Sequence, residues 1–492
     1  MILNALYELY ERLVEQGEEL PRMGFSSQEI GFRIIISPQG DFVRIEDVRA
    51  EEMNAKSEKK GGGKTRKLKT VKKILPGNPN RSGIGLYPCF LWDNTAYLLG
   101  CESVKERALE YFAETRRKHI EVEQQVNSPK YSAVCRFFEK WQPNKCEIIF
   151  NDKALLKTNG VFRVQGDEVD VHEDVDIVKW WQDEGNMKWC GGKEKQQIGY
   201  CLVTGHRGVI APIHAPAIKG VLGSKSSGAK IVSFEPDAFR SYGKDQSYNA
   251  PVSEYASFAY CNALNYLLKQ KQTHLLIGDA TVVFWTDSPQ KTREENELFV
   301  ASSLDAGGMY AMDEALMERI RSRVKAIASG RPVEDVMPQA NHIRFYILGL
   351  SPNASRLSVR FFHESTLGDF ARNLQDHFTA MAIQRRGEKS DDPFIITPYL
   401  ILRAAVRNLN DLPPLYGGAL MRAILTGSPY PDAIAMAILR RIRLPRNKHD
   451  KQEAREKERL YSTTVWIFGH LRNRLKNTVL RGGFAPLRLD AA

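Results

Sequence analysis

Between Lys56 and Lys73 the chain carries nine Lys/Arg and one acid, Glu58, around Gly61-Gly62-Gly63. So much charge with so little apolar surface cannot pack into a core, so the stretch must leave the folded body as a loop. A second basic segment, Arg440 to Lys476, holds twelve Lys/Arg and four acids. Together the two segments exceed the whole net charge of +11, and the remainder of the chain is slightly acidic. Positive charge gathered this way points to an anionic partner, either nucleic acid or an acidic membrane face.

The membrane reading is weak. No stretch approaches the roughly 18 consecutive apolar residues that span a bilayer. The N-terminus carries Glu8, Glu11 and Glu15 and lacks the basic start and apolar run of a secretory signal. Its apolar residues, Ile2, Leu3, Leu6, Tyr7, Tyr10, Leu13 and Val14, fall at helical spacing. The seven cysteines, Cys89, Cys101, Cys135, Cys146, Cys190, Cys201 and Cys261, are odd in number and form no C-x-x-C. That argues against a disulfide framework and a zinc site, and fits a reducing cytoplasm.

Patterning predicts an α+β fold. Phe32–Ile36 and Asp41–Ile45 flank Ser-Pro-Gln-Gly and read as a hairpin. Phe90-Leu-Trp and Ala96-Tyr-Leu-Leu flank Asp93-Asn94 and predict a second hairpin over Tyr87–Cys101. Residues 103–141 read as largely helical. Strand-like runs follow at Val161–Val164, Tyr200–Thr204, Ile231–Phe234 and Thr281–Trp285. A helix starts at Ser253 behind Pro251 and runs to about Gln270. Leu316, Ile320, Val324 and Ile327 mark another, stopped by Gly330. Ile343–Leu350 and Arg356–Phe362 flank Ser-Pro-Asn-Ala in a late hairpin. Beyond about 365 the pattern is helical: Pro393–Asn408, Gly417–Thr426, Pro431–Arg443 and Glu453–Arg481. The expected organisation is a large α+β region over 1–365, with a mobile basic loop over 54–85, and a smaller helical domain over 366–492.

Catalytic signals are poor. The ten histidines are scattered, and His449-Asp450 lacks companion ligands for a metal-dependent nuclease. No G-x-S-x-G is present. Asp279 reads as a turn or cap residue, and Tyr255, Phe258, Ala259, Ala263, Leu264, Leu267 and Leu268 as a core face. Gly223–Lys230 imitates a phosphate loop, but its Lys is displaced by one and the expected sequel is a strand, not a helix. No catalytic residue, metal or cofactor is expected.

What remains is a polar, glycine-rich centre from Ile218 to Ser253. Ser224, Lys225, Ser226, Ser227, Lys244, Gln246 and Asn249 can bring backbone amides, amide side chains and cations to phosphates or base edges. Lys64, Arg66, Lys67, Lys69, Lys72 and Lys73 can track a phosphate backbone without fixed geometry. The plain alternatives are a polar turn cluster and a solvated charge run.

The same centre resembles a known family. Ile218-Lys-Gly-Val, Ser226-Ser-Gly-Ala, Val232-Ser-Phe, Ser241-Tyr-Gly-Lys and Asn249-Ala-Pro-Val-Ser look like the signature of the large subunit of the type I-C CRISPR Cascade complex. Phe90-Leu-Trp-Asp-Asn94, Ile277-Gly-Asp-Ala-Thr-Val-Val-Phe-Trp285, Tyr346-Ile-Leu-Gly-Leu-Ser-Pro-Asn-Ala354 and Gly427-Ser-Pro-Tyr-Pro431 agree in order. The resemblance implies a non-catalytic subunit of an RNA-guided antiviral complex. It would recognise a short protospacer-adjacent motif in double-stranded DNA, help open the duplex, and dock a helicase–nuclease that cuts. Residues 1–365 would read DNA and 366–492 would serve assembly. Implied partners are guide RNA, target DNA, backbone and handle-binding Cascade subunits and the helicase–nuclease. Family members usually extend into a further helical segment; the sequence stops at Ala492 without one, so either the chain is truncated or a separate small subunit is expected. A structural subunit that grips only guide RNA and neighbours, or a stand-alone nuclease, are the alternatives.

Overall fold

The computed structural model describes residues 1–51, 68–77, 85–150, 152–185, 189, 197–234, 237–304, 314–381, 396–406, 408 and 411–443. The chain forms two compact units. One joins Met1–Gly17 to everything from Ile198 onward; the other is Glu18–Gln197. Helix α1 (Ile2–Glu15) opens the first unit and buries Leu6, Tyr10 and Leu13 of the predicted stripe together with Leu9, while Val14 is exposed.

The second unit is built on β1 (Phe25–Ile36). The expected hairpin pairs its second half with β2 (Phe42–Asp47), Ile34 lying opposite Ile45. A short antiparallel pair follows, β3 (Ala50–Glu51) with β4 (Leu68–Lys69). Strand β5 (Val71–Pro76) then pairs with the first half of β1, Phe25 opposite Pro76 and Ile30 opposite Val71. The described part of the segment expected as a mobile loop over 54–85 is thus partly strand. Val71, Ile74 and Leu75 supply apolar anchors that the Lys-rich composition masks. Strand β6 (Trp92–Asn94) leads straight into helix α2 (Thr95–Leu98), so the hairpin predicted over Tyr87–Cys101 does not form. Asn94 caps the helix, its Oδ1 accepting from the Ala96 and Tyr97 amides at 3.0 and 3.4 Å. Asp-Asn suits a turn and an N-cap alike, and the cap prevails.

Helices α3 (Ala108–Val122), α4 (Pro129–Lys140) and α5 (Val175–Trp180) share one core with β1 and with β7 (Asn159–Val164), which runs parallel to β1. Phe32, Phe90, Tyr131, Phe138, Phe162 and Trp181 fill it, and Phe90 stacks on Trp181 at 4.8 Å. Burying each such ring contributes about 1.5–3 kcal/mol. The structure also pairs Cys101 with Cys146, Cα atoms 5.6 Å apart, which the scattered cysteine spacing did not suggest.

The first unit resumes with a small ribbon, β8 (Ile198–Tyr200) and β9 (Arg207–Val209). The strand expected over Tyr200–Thr204 therefore ends at Tyr200. Helix α6 (Glu254–Lys269) starts where predicted, the Ser253 hydroxyl accepting from the Ala256 amide at 3.2 Å. A four-stranded antiparallel sheet follows in sequence order: β10 (His274–Ile277), β11 (Ala280–Thr286), β12 (Arg344–Asn353) and β13 (Arg356–Thr366). Helices α7 (Gln290–Leu304), α8 (Glu314–Ala328) and α9 (Val333–Val336) separate β11 from β12. Helices α10 (Leu367–Met381), α11 (Pro398–Ala405), α12 (Pro414–Thr426) and α13 (Asp432–Arg443) close the described chain.

Val282, Phe284, Phe345 and Ile347 on the sheet share one core with Leu374, Ile401, Ile424 and Ile438 on those last helices. Residue 365 therefore does not separate two cores. The central strands β11 and β12 are buried on both faces, so the sheet cannot stand without the elements laid on it. Ile231–Phe234, expected as a strand, is irregular. The result is the mixed α+β fold that the patterning predicted. Among the described residues no helix is long and apolar enough to cross a membrane.

Candidate nucleic-acid interface

The polar centre of the sequence folds into two loops anchored at the tip of the β12–β13 hairpin. Ile218 and Ala229 exchange amide–carbonyl hydrogen bonds, both 2.9 Å, and close the first loop at its base. Inside it Ser224 is committed to the backbone, its hydroxyl donating to the Val221 carbonyl at 2.7 Å. Gly228 has φ +93°, and a Cβ there would lie 2.9 Å from both Ala217 Cβ and the Ile218 carbonyl. Only glycine fits such a turn without strain. Lys225, Ser226 and Ser227 face solvent.

Lys230 ends this loop. Its amide donates to the Ser355 carbonyl at 3.2 Å, and its carbonyl accepts from the Leu357 amide at 2.8 Å. The loop also leans on the hairpin at Gly223, where a Cβ would sit 3.2 Å from Pro352. Asp279, at the β10–β11 turn, braces the hairpin from below. Its Oδ2 accepts from the Ser351 hydroxyl at 2.8 Å and from Arg360 Nη2 at 2.7 Å. The turn role expected for Asp279 is what the structure gives it.

The second loop, 237–249, reaches the same tip through Arg356, whose guanidinium lies over the Phe239 ring at 4.8 Å. Asn249 holds this loop together. Its amide donates to the Lys244 and Gln246 carbonyls at 3.0 and 2.9 Å, and its oxygen accepts from the Ser241 amide at 3.1 Å. With those groups spent, Asn249 is scaffold; reading a base edge would require undoing the loop. Gln246 has a left-handed backbone, φ +48°, and faces solvent beside exposed Lys244. Across the two loops and the hairpin tip the described residues include six cations, Lys219, Lys225, Lys230, Arg240, Lys244 and Arg356. They include two carboxylates, Asp237 and Asp245, both ion-paired to Arg240.

Residue choice by composition missed one position here. Tyr242, at the tip of the second loop, is 99% exposed. Its signal was a lone aromatic followed by glycine in an otherwise polar turn.

The Lys-rich segment belongs to the other unit, and its described lysines differ among themselves. Lys69 is exposed and pairs with Ala50 across β3–β4. Lys72 is exposed opposite Glu29. Lys73 is not available to phosphates: its ammonium is bound by Asp170, and by Glu173 at 2.9 Å. Asp170 is fully buried and also takes Arg33 Nε at 2.5 Å and Arg163 Nε at 2.9 Å. Burial pushes the Asp170 carboxyl up, but hydrogen bonds from Lys73 and Arg33 outweigh it and hold its pKa below the ordinary value. Asp170, His172 and Glu173 have ligand-type atoms within 4.8 Å of one another. With three cations already on Asp170, the cluster is a structural ion knot and not a metal site. His172 stays neutral within it, its pKa pushed down to about 4 by burial. Lys64, Arg66 and Lys67 lie outside the described residues, as does the second basic segment beyond Arg443.

A comparison with curated proteins finds no match. A family model described as CRISPR-associated protein (Cas_Csd1) matches residues 6–477. The match spans nearly the whole sequence: the chain belongs to the CRISPR-associated Cas_Csd1 family.

Proposed function

We propose that this protein is the non-catalytic large subunit of a type I-C CRISPR surveillance complex, recognising a protospacer-adjacent motif in duplex DNA. The observation that carries the reading is the pair of loops on the β12–β13 tip. Their shape is fixed by backbone closure and by Asn249, so Lys225, Ser226, Ser227, Lys244 and Gln246 are presented on a backbone that needs no ordering on binding. Cations and exposed amides on a rigid base suit contact with phosphates and groove edges together. Guide RNA reads the sequence by pairing, this subunit reads the flank and helps open the duplex, and cutting falls to a docked helicase–nuclease. Neighbouring Cascade subunits complete the assembly, in the cytoplasm.

The test is reconstitution with guide RNA and partner subunits, followed by variation of the base pairs beside a matched target. Affinity should depend on those pairs, and should fall about uniformly across them when Lys225 and Lys244 are both replaced by Ala. Affinity indifferent to the flanking pairs, with firm binding of free guide RNA, would make the protein a structural subunit instead.

A further inference from the structure

The turn at Ser241–Lys244 has a residue that its geometry disfavours. The Lys244 amide donates to the Ser241 carbonyl at 2.9 Å, and both central residues are left-handed, Tyr242 at φ +51° and Gly243 at φ +69°. Such a turn favours Asn-Gly or Gly-Gly, because a side chain with a bulky Cβ substituent is strained there. Tyrosine gains nothing in return from packing, since it is 99% exposed. The loop beneath it is held by the three hydrogen bonds of Asn249, and by the Ser247 amide on the Pro212 carbonyl at 3.1 Å. A ring is thus held out in water on a fixed base, at a cost in backbone strain, where strain is most often retained for function.

We infer that Tyr242 is a base-stacking residue, placing its ring on an exposed nucleobase at the end or junction of a bound duplex. This rests on the proposed DNA-reading role and adds a contact to it. The surroundings select the ligand. Arg240, Ser241, Gly243 and Lys244 flank the ring and all are exposed, and the nearby Phe239 ring lies under the Arg356 guanidinium, so within the turn no apolar neighbour joins Tyr242 to form the apolar centre of a protein dock. A nucleobase offers a π-face for the ring and a phosphate for the adjacent ammonium of Lys244, and stacking tolerates any base. A ring on a rigid turn suits the point where pairing breaks, since a base inside a duplex has no free face.

The test uses the full chain with forked and fully paired DNA carrying 2-aminopurine at the junction. Wild type is expected to bind the fork and to change the 2-aminopurine emission. Tyr242→Ala and Tyr242→Asn should bind the fork about tenfold more weakly and lose the emission change. Tyr242→Phe should retain both, and none of the three should alter the salt slope, since no charge is removed. Tyr242→Asn also relaxes the turn, so its melting temperature should not fall, which separates loss of stacking from loss of fold. Fork binding by Tyr242→Asn equal to wild type would overturn the inference and leave the DNA-reading role intact. Weak binding by Tyr242→Phe would assign the effect to the hydroxyl and overturn stacking. A wild-type chain that binds neither DNA would overturn both.

Discussion

Lys73 in one unit and Lys225 and Lys244 in the other are presented in opposite ways. In the unit formed by Glu18–Gln197, Lys73 comes from the most basic stretch of the sequence, yet it is locked to Asp170 and Glu173. In the other unit, Lys225 and Lys244 come from a stretch of unremarkable charge, yet both stand in solvent on fixed loops. Charge density along a sequence therefore does not rank cations by availability. What decides is whether a buried carboxylate waits for them in the fold. Lys73 meets one 97 residues away in sequence.

The largest effect should come from removing that carboxylate. Asp170→Ala leaves Arg33, Arg163 and Lys73 without their shared buried counter-ion, which costs about 3–5 kcal/mol. Urea unfolding should show the loss; a change under about 1 kcal/mol would remove the ion knot from the account.

Acid should weaken the fold next. His119 and His172 have pKa values pushed down to about 4 by burial, against an unfolded value near 6.5. Their folded values lie below the unfolded one, so between about 6.5 and 4 the unfolded chain binds more protons. Stability is then lost as pH falls through that window, by up to roughly 3 kcal/mol for each histidine. Asp170 adds to the loss at lower pH, since the stability from its depressed pKa is full above the unfolded value and is lost as pH falls through the folded one. Melting followed from pH 7 to 4 checks the sign. His119 offers a sharper probe: its ring donates to the Thr115 carbonyl at 2.9 Å and accepts from the Leu91 amide at 3.2 Å. His119→Gln should flatten the curve.

Gly228→Ala should cost about 1–3 kcal/mol by forcing a Cβ into the base of the first loop. It should weaken DNA binding more than the Asp170 substitution does in whatever fraction stays folded. The smallest effects separate the lysines. Lys225→Ala and Lys244→Ala should each flatten the salt slope of DNA binding by about one. Lys73→Ala should leave that slope unchanged while lowering stability.

Much of the fold was legible because its signals are local. Ser253 behind Pro251 marked the start of α6, and Ser-Pro-Asn-Ala marked the hairpin that became the anchor of both loops. Failures came where one chemistry serves two ends or where the partner is remote. Asp93-Asn94 was read as a turn, whereas Asn94 caps a helix and Leu91, at φ +64°, bends the chain just before it. No core boundary falls at 365, since Leu374, Ile401, Ile424 and Ile438 share a core with the sheet before them, and α1 packs on α6 across some 240 residues, with the Tyr255 hydroxyl on Glu11 at 2.7 Å. No periodicity reports such a pairing. In the site itself, the polar loops were legible as loops, but the division of labour inside them was not. Asn249 and Ser224 look like reading groups in the sequence and serve as scaffold in the fold, while Tyr242 has no strong mark in the sequence and stands out in solvent.

The most direct measurement is lysine acylation followed by mass spectrometry, on the assembled protein with and without target DNA. The account expects Lys225 and Lys244 to react readily when free and to be protected by DNA, with Lys73 slow in both states. Lys73 reacting readily and becoming protected on DNA, with Lys225 and Lys244 unchanged, would contradict it.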